Sequence, residues 1–230
     1  MVYEIIKRVF DIFVSLICII PTMPIGIIIA IGIKLSSKGP IFYATQRVGK
    51  NRKTFTMYKF RTMHVYQPSN SNQNKTCEGG YIANPQRMFK FGSFLRKSKL
   101  DELPQLINVF MAQMSIVGPR PIAKAGVEKL YIGRFENITS IKPGLTCLES
   151  LYDYAHGELF ITDNEEYIEK ILPVKLELAR IYVEKRSIVL DMKIIARTAY
   201  LIFTIAIRGK KNFTYTEYEQ LSNNKVLNLM

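Results

Sequence analysis

The 230-residue chain is poor in the residues that build disulfide scaffolds and closed metal sites, with three cysteines and two histidines. Cys18, Cys77 and Cys147 are odd in number, far apart and without metal-ligand spacing, which argues against a disulfide framework and fits a reducing cytoplasm. His156 has no neighbouring Cys or His to share a metal and reads as a loop residue. No GxxxxGK loop or helix-turn-helix pattern occurs, and aromatics are not interleaved with the basic residues as a nucleic-acid stacking platform requires. Acid is scarce as well. Against 32 Lys and Arg there are 19 Asp and Glu, and the net charge of +13 calls for an anionic partner: nucleic acid, anionic lipid or a phosphorylated substrate.

What is abundant is apolar surface. A 48% hydrophobic composition with mean hydropathy +0.04 is high for a soluble globule. From Val9 to Ile33 only Asp11, Ser15 and Thr22 interrupt the apolar run. That length matches a hydrocarbon core of about 30 Å. It exceeds a signal-peptide core, and no small-x-small cleavage pattern follows. A single spanning helix is the ordinary reading, but two features oppose it. Lys7 and Arg8 precede the run and Lys34 and Lys38 follow it, so the flanks give little orienting asymmetry. Pro21 and Pro24 fall mid-segment, where they free the carbonyls of Ile17 and Ile20 and favour a bend that returns the chain to the face it entered. Thr22 can bond a carbonyl one turn back. Arg8 and Asp11, one turn apart, either pair at the interface or leave Arg8 to snorkel.

Residues 41–63 read as two short strands around the basic turn Val48–Lys53, with Lys59 and Arg61 on one side of the second. Gln67–Gly80 reads as a polar surface loop. Ala199–Ile207 is a helical apolar run too short to span, suited to the interface or to the core, and the tail beyond Asn212 is polar.

The stretch from Ser98 to Pro121 carries the chemistry. Leu103, Leu106, Ile107, Phe110 and Met114 recur at helical spacing, and Pro104 is tolerated only in a first turn, so the pattern predicts a helix from near Asp101. Asp101 and Glu102 would then stand at a helix N-terminus, where N–H groups and the dipole favour anions. Helix capping is the ordinary role of such acids. Pro104, however, lacks the N–H that a capping Asp101 would accept, and adjacent carboxylates suit Mg2+, which shares carboxylate oxygens with substrate phosphates. Gly118-Pro119-Arg120-Pro121 is a rigid turn presenting a guanidinium that can bind phosphate bidentately.

Leu100-Asp101-Glu102-Leu103-Pro104-Gln105-Leu106 followed by Met114-Ser115-Ile116-Val117-Gly118-Pro119-Arg120-Pro121 resembles the signature of the bacterial initiating sugar transferases, the monotopic phosphoglycosyl transferases. Lys7–Asp11, Thr45–Gly49, Tyr58–Met63, Lys142–Thr146 and Ser187–Lys193 match in the same order, so the resemblance covers residues 3–200. After Lys142-Pro143-Gly144 this chain reads Cys147-Leu148-Glu149-Ser150 where Gly-Trp-Ala-Gln is commonest, a departure that bears on sugar choice more than on reaction type. The family also usually has Ser-Pro where this chain has Met23-Pro24.

The resemblance implies an α+β enzyme: a re-entrant membrane helix over residues 1–38, and a cytoplasmic catalytic domain over 39–230 with a small strand region and interfacial helices. It implies transfer of a sugar-1-phosphate from a UDP-sugar to polyprenyl (undecaprenyl) phosphate with release of UMP, at the cytoplasmic face of the bacterial inner membrane. Asp101 would be the nucleophile, with Glu102 holding Mg2+ beside it or handling protons. Lys59, Arg61, Arg96, Pro119 and Arg120 would face substrate, Pro21 and Pro24 would form the bend, and Lys7 and Arg8 would lie at the interface. No nucleic-acid partner is expected, and a homo-oligomer is compatible with the sequence. The alternative reading is a non-enzymatic, membrane-tethered basic module that binds anionic lipid or nucleic acid and has no need of Asp101.

Overall fold

The computed structural model describes residues 2–65, 87–156 and 164–208. The expected loop at Gln67–Gly80, Cys77, the polar tail and the side chain of His156 lie outside the described residues.

Helix α1 (Val2–Ser36) runs unbroken through Pro21 and Pro24 and is long and apolar enough to cross a membrane. The Thr22 hydroxyl donates to Cys18 O (2.6 Å) and Ile19 O (3.1 Å), so the bond one turn back forms, but not to the carbonyls that the prolines free. A straight helix of 35 residues would be about 52 Å long. Yet both of its ends rest on the same protein body. Phe10, Val14, Cys18 and Ile19 pack against the main core, and Ile29 and Ile33 are buried with Phe60, Phe89 and Leu95. Phe13, Ile17, Ile20, Met23, Ile27, Ile28 and Ile31 remain exposed, an apolar stripe turned away from that body.

Strands β1 (Phe42–Val48) and β2 (Thr54–Phe60) form the expected antiparallel hairpin, with Val48 opposite Thr54 and Tyr43 opposite Lys59. Asn51 and Arg52 turn the chain with positive φ values of 54° and 61°. Helix α2 (Lys90–Lys97) then leads into a 3-10 turn, Leu100–Glu102, and α3 (Gln105–Phe110). The continuous helix expected from Asp101 is therefore not formed. Pro104 caps a six-residue α3, the acids ride on the separate turn before it, and Met114 lies beyond the helix. Ile107 and Phe110 are exposed, because a helix this short buries Leu106 and Val109 on one side only.

Strand β3 (Ser115–Val117) pairs in parallel with β4 (Gly144–Thr146). The two backbones meet at glycines. A Cβ on Gly144 would lie 2.1 Å from Gly118 N, and one on Gly118 would lie 2.5 Å from Lys142 O, so neither position accepts a side chain without moving backbone. Helices α4 (Lys124–Leu130), α5 (Leu148–His156) and α6 (Asn164–Glu166) follow, the last continuing through a π-helical turn, Tyr167–Ile171, into α7 (Leu172–Lys185). Leu178, Tyr182 and Val183 of α7 join Leu106, Val109, Ile116 and Leu148 in the core.

Helix α8 (Ile188–Arg208) supplies Ile194 and Leu201 to that core while Val189, Met192, Tyr200 and Phe203 face outward. Its buried Asp191 accepts from Lys7 Nζ (2.6 Å), Tyr182 Oη (2.7 Å) and Tyr3 Oη (3.0 Å), tying the start of α1 to α8. Among the described residues, few strands and many helices around one main core and two smaller clusters give the α+β class expected.

Candidate active site

The site is assembled where the turn before α3 meets the hairpin and the end of β3. Asn108, buried on α3, places β2: its Oδ1 accepts Tyr58 N–H (3.2 Å), and its Nδ2 donates to Thr56 O (2.7 Å) and Gln113 Oε1 (2.6 Å). With every polar atom of that amide satisfied, β2 is held in register beside the turn. Lys59 on β2 consequently reaches Glu102, Nζ to Oε1 2.7 Å.

Asp101 and Glu102, neighbours in sequence, lie in opposed electrostatic settings. Asp101 is 6% exposed, and its Oδ1 is buried with no hydrogen-bond partner. No side chain caps the 3-10 turn or α3. Burial, and then the charge of Glu102, raise the Asp101 pKa above the ordinary carboxylate value, with Lys59, Lys99 and Arg96 offsetting part of the rise. Burial alone would raise Glu102 too, but Lys59, Lys99 and Arg120 outweigh it and bring its pKa down to about 2. Two adjacent carboxylates pushed apart in this way suit two different roles. Lys99 adopts a left-handed φ of 58° and accepts Glu102 N–H at its carbonyl (3.1 Å), which fixes the turn.

Arg120 is presented from the turn after β3. Its backbone N–H donates to Glu149 Oε1 (3.0 Å), and its Nη1 donates to Ser150 Oγ (3.2 Å). Pro119 closes the same turn by accepting Gly144 N–H at its carbonyl (2.9 Å). Buried Glu149 keeps its second oxygen without a partner, and burial raises its pKa.

Of the residues singled out from sequence, Asp101, Glu102, Lys59, Arg96 and Arg120 converge, with Pro119 in the supporting turn. Arg61 does not join them. It is buried, with Nε donating to Pro40 O (2.6 Å), Nη1 to Ser37 Oγ (2.8 Å) and Nη2 to Ser37 O (2.8 Å), so it braces the exit of α1. The carbonyls of Ser37 and Pro40, just beyond α1, take up the guanidinium. Lys7 and Arg8 are likewise occupied. Arg8 donates to Val109 O (2.9 Å) and Phe110 O (2.8 Å), carbonyls at the end of α3, rather than pairing with Asp11.

Asn108 and Glu149 escaped the sequence reading. Asn108 could have been noticed as a polar residue amid the apolar periodicity of α3, and Glu149 as an acid standing in the segment where the chain leaves the commoner pattern. Among the described residues no group of three or more His, Cys, Asp and Glu could enclose a metal, so any cation here would rest on the two adjacent acids.

The architecture is that of a domain with one long apolar helix and an acidic pair, buried at Asp101 and half-buried at Glu102, framed by cations. Residues 2–205 match the family model of bacterial sugar transferases, and the chain belongs to that family. It is 38% identical over 196 residues to a UDP-glucose:undecaprenyl-phosphate glucose-1-phosphate transferase of Klebsiella pneumoniae, a match covering 84% of this chain and 39% of that protein. It is 36% identical to the exopolysaccharide production protein PSS of Rhizobium leguminosarum bv. phaseoli, over 90% of this chain and 98% of that one. A UDP-N-acetylgalactosamine-undecaprenyl-phosphate N-acetylgalactosaminephosphotransferase of Aeromonas hydrophila is 31% identical, over 88% of this chain and 45% of its own. The chain thus spans about two-fifths of the length of the glucose-1-phosphate transferases it matches.

Proposed function

We propose that this protein transfers a sugar-1-phosphate from a UDP-sugar to undecaprenyl phosphate, releasing UMP, as the first membrane step of a glycoconjugate pathway. The observation that carries the reading is Asp101, a buried carboxylate with an unpartnered oxygen beside a strongly ionised Glu102 and among Lys59, Lys99, Arg96 and Arg120. Its agreement with relatives named for such transfers supports the reaction class.

Attack by a carboxylate on a phosphoanhydride brings like charges together, and the cationic frame offsets that repulsion. An Asp101 oxygen forms a bond to the sugar-bearing phosphorus as the bond from that phosphorus to the bridging oxygen breaks, and the electron pair leaves with UMP. The acyl phosphate left on the enzyme is then attacked by the phosphate of the lipid acceptor, which restores the Asp101 carboxylate. Splitting the transfer lets a water-soluble donor and a lipid acceptor use one site in turn.

The donor set fits Mg2+, which takes one or two carboxylates and completes its shell with substrate phosphates and water: the orphaned oxygen of Asp101 and the carboxylate of Glu102 would hold it. When bound, the cation supplies neutralisation of diphosphate charge.

The reaction takes place on the cytoplasmic face of the inner membrane, with α1 entering the bilayer and returning. Attachment of both ends of α1 to one body, with an outward apolar stripe between and beside them, supports this arrangement. The test is incubation with a radiolabelled UDP-sugar and Mg2+ without lipid acceptor. Label should enter the wild-type protein with release of UMP, Glu102→Gln should slow uptake, and Asp101→Asn should abolish it. Full labelling of Asp101→Asn would refute the covalent route, and absence of UMP release across a panel of UDP-sugars with undecaprenyl phosphate would refute the reaction.

A further inference from the structure

Arg47 lies on β1 opposite Phe55, on the side of the hairpin that also carries Tyr43 and Lys59. The strand end is sewn to the chain just after Arg120, because Val48 N–H donates to Ile122 O (3.0 Å). The turn beyond is anchored in turn by Arg52, whose Nη2 donates to Tyr131 O (3.2 Å). These bonds bring Arg47 beside Arg120, and the positive charge of Arg120 adds to the effect of burial in lowering the Arg47 pKa. Arg47 Nε is buried with no acceptor, and among the described residues no hydrogen bond or ion pair reaches the remainder of its guanidinium. Arg120 also acts on Glu102, so cationic charge runs from Lys59 at the dyad through Arg120 to Arg47. A narrow crevice lined by Gly49, Arg120, Ile122 and Tyr131 adjoins Arg120.

We propose that Arg47 binds the nucleoside-side phosphate of the donor, the phosphate that departs as UMP. Two neighbouring guanidinium groups repel each other in the free protein, and a diphosphate between them replaces that repulsion with charge-assisted hydrogen bonds. The sugar-bearing phosphorus would then face Asp101, and the leaving phosphate would lie between Arg120 and Arg47. Arg47 is placed to stabilise the negative charge that UMP gains as the anhydride bond breaks.

This inference rests on the reading of the donor as a UDP-sugar, and the experiment separates the two. UMP and uridine are titrated into the full-length protein in lipid nanodiscs, with thermal unfolding as a control for folding. Wild type should bind UMP more tightly than uridine. Arg47→Ala should weaken UMP binding by on the order of tenfold or more while leaving uridine binding unchanged, and Arg47→Lys, which keeps the charge but loses the fork, should fall between. Should Arg47→Ala fail to fold, Arg47→Gln, of similar length, carries the same expectation. Wild-type UMP affinity in the folded variant overturns the role of Arg47 alone. Wild-type protein that binds UMP no better than uridine overturns the donor assignment together with it.

Discussion

Asp11 of α1 accepts the backbone N–H of Ile116 on β3, Oδ1 to N 2.9 Å, and the same oxygen accepts the Ser115 hydroxyl (3.0 Å). The strand that delivers Arg120 is therefore fastened to α1, and the long apolar helix and the Arg120 turn form one mechanical unit. Asp11→Ala should leave two buried donors unsatisfied, at about 1–3 kcal/mol each, and lower both the thermal midpoint and turnover. Asp11→Asn keeps an acceptor at that place and should cost less than Asp11→Ala in both measurements.

Arg61 provides a sharp contrast with Arg120. Its donors are spent on Ser37, Pro40 and Met63, so Arg61→Ala should destabilise the protein by about 1–3 kcal/mol in chemical denaturation as those carbonyls lose their partner. The KM for the UDP-sugar should stay near wild type at temperatures where the variant remains folded. A large rise in KM with unchanged stability would return Arg61 to the substrate site.

How legible the site was in the sequence differed between its parts. Asp101, Glu102 and Arg120 stood out because Pro104 and the paired prolines leave marks that local stereochemistry can interpret. The hairpin was legible because its alternation and basic turn are local as well. The helix boundary was not. Apolar spacing across Leu103, Leu106 and Met114 is compatible with one helix, and only packing against β2 and β3 decides that the chain breaks into a turn, a short helix and a strand. Arg61 was misplaced for a related reason. Position on a strand says which way a side chain starts, whereas the carbonyls at the end of α1 decide where a long guanidinium finishes. Asn108 and Glu149 act across 50 and 29 residues of sequence, distances over which no local pattern carries information.

The two ends of α1 give a topological test. Val2 and Lys38 are exposed on either side of the apolar run, and both ends of the helix pack on one body. Single cysteines at these two positions, in a background with Cys18, Cys77 and Cys147 replaced by alanine, should both react with a membrane-impermeant maleimide only from the cytoplasmic side. Labelling from opposite sides would establish a spanning helix instead. Pro24→Ala, which restores a backbone donor, should shift the population toward spanning.

Lys59 governs the ionisation of Glu102. The folded pKa of Glu102, about 2, is below the value of about 4.3 expected in an unfolded chain, so its pairing contributes stability above that pH, lost as pH falls toward 2. Lys59→Met should remove part of that contribution, the shares of Lys99 and Arg120 remaining, move acid unfolding to higher pH, and leave a half-buried carboxylate short of a partner. Denaturation midpoints measured from pH 3 to 7 should converge for wild type and variant at the acid end and diverge toward neutrality.

Asp101 has the opposite shift, with a kinetic consequence. Its pKa is raised by burial and by Glu102, so a fraction of the protein carries a protonated, non-nucleophilic Asp101 over a pH range in which an ordinary aspartate is fully ionised. On the proposed covalent route, attack requires the carboxylate. The first half-reaction, followed as a single-turnover burst of UMP without acceptor at Mg2+ low enough to leave the resting site free of the cation, should therefore rise with pH through a value above the ordinary 3.9 of aspartate and then level off. Glu102→Gln removes the neighbouring negative charge, the second-largest cause of the shift, and should move the acid limb to lower pH even as it lowers the plateau. Separate movement of position and height distinguishes electrostatic coupling within the dyad from simple loss of a ligand, which would lower the plateau and leave the limb in place. A limb that stays fixed in Glu102→Gln, or one lying below the ordinary aspartate value in wild type, would show that the titrating group is not a buried Asp101 facing Glu102.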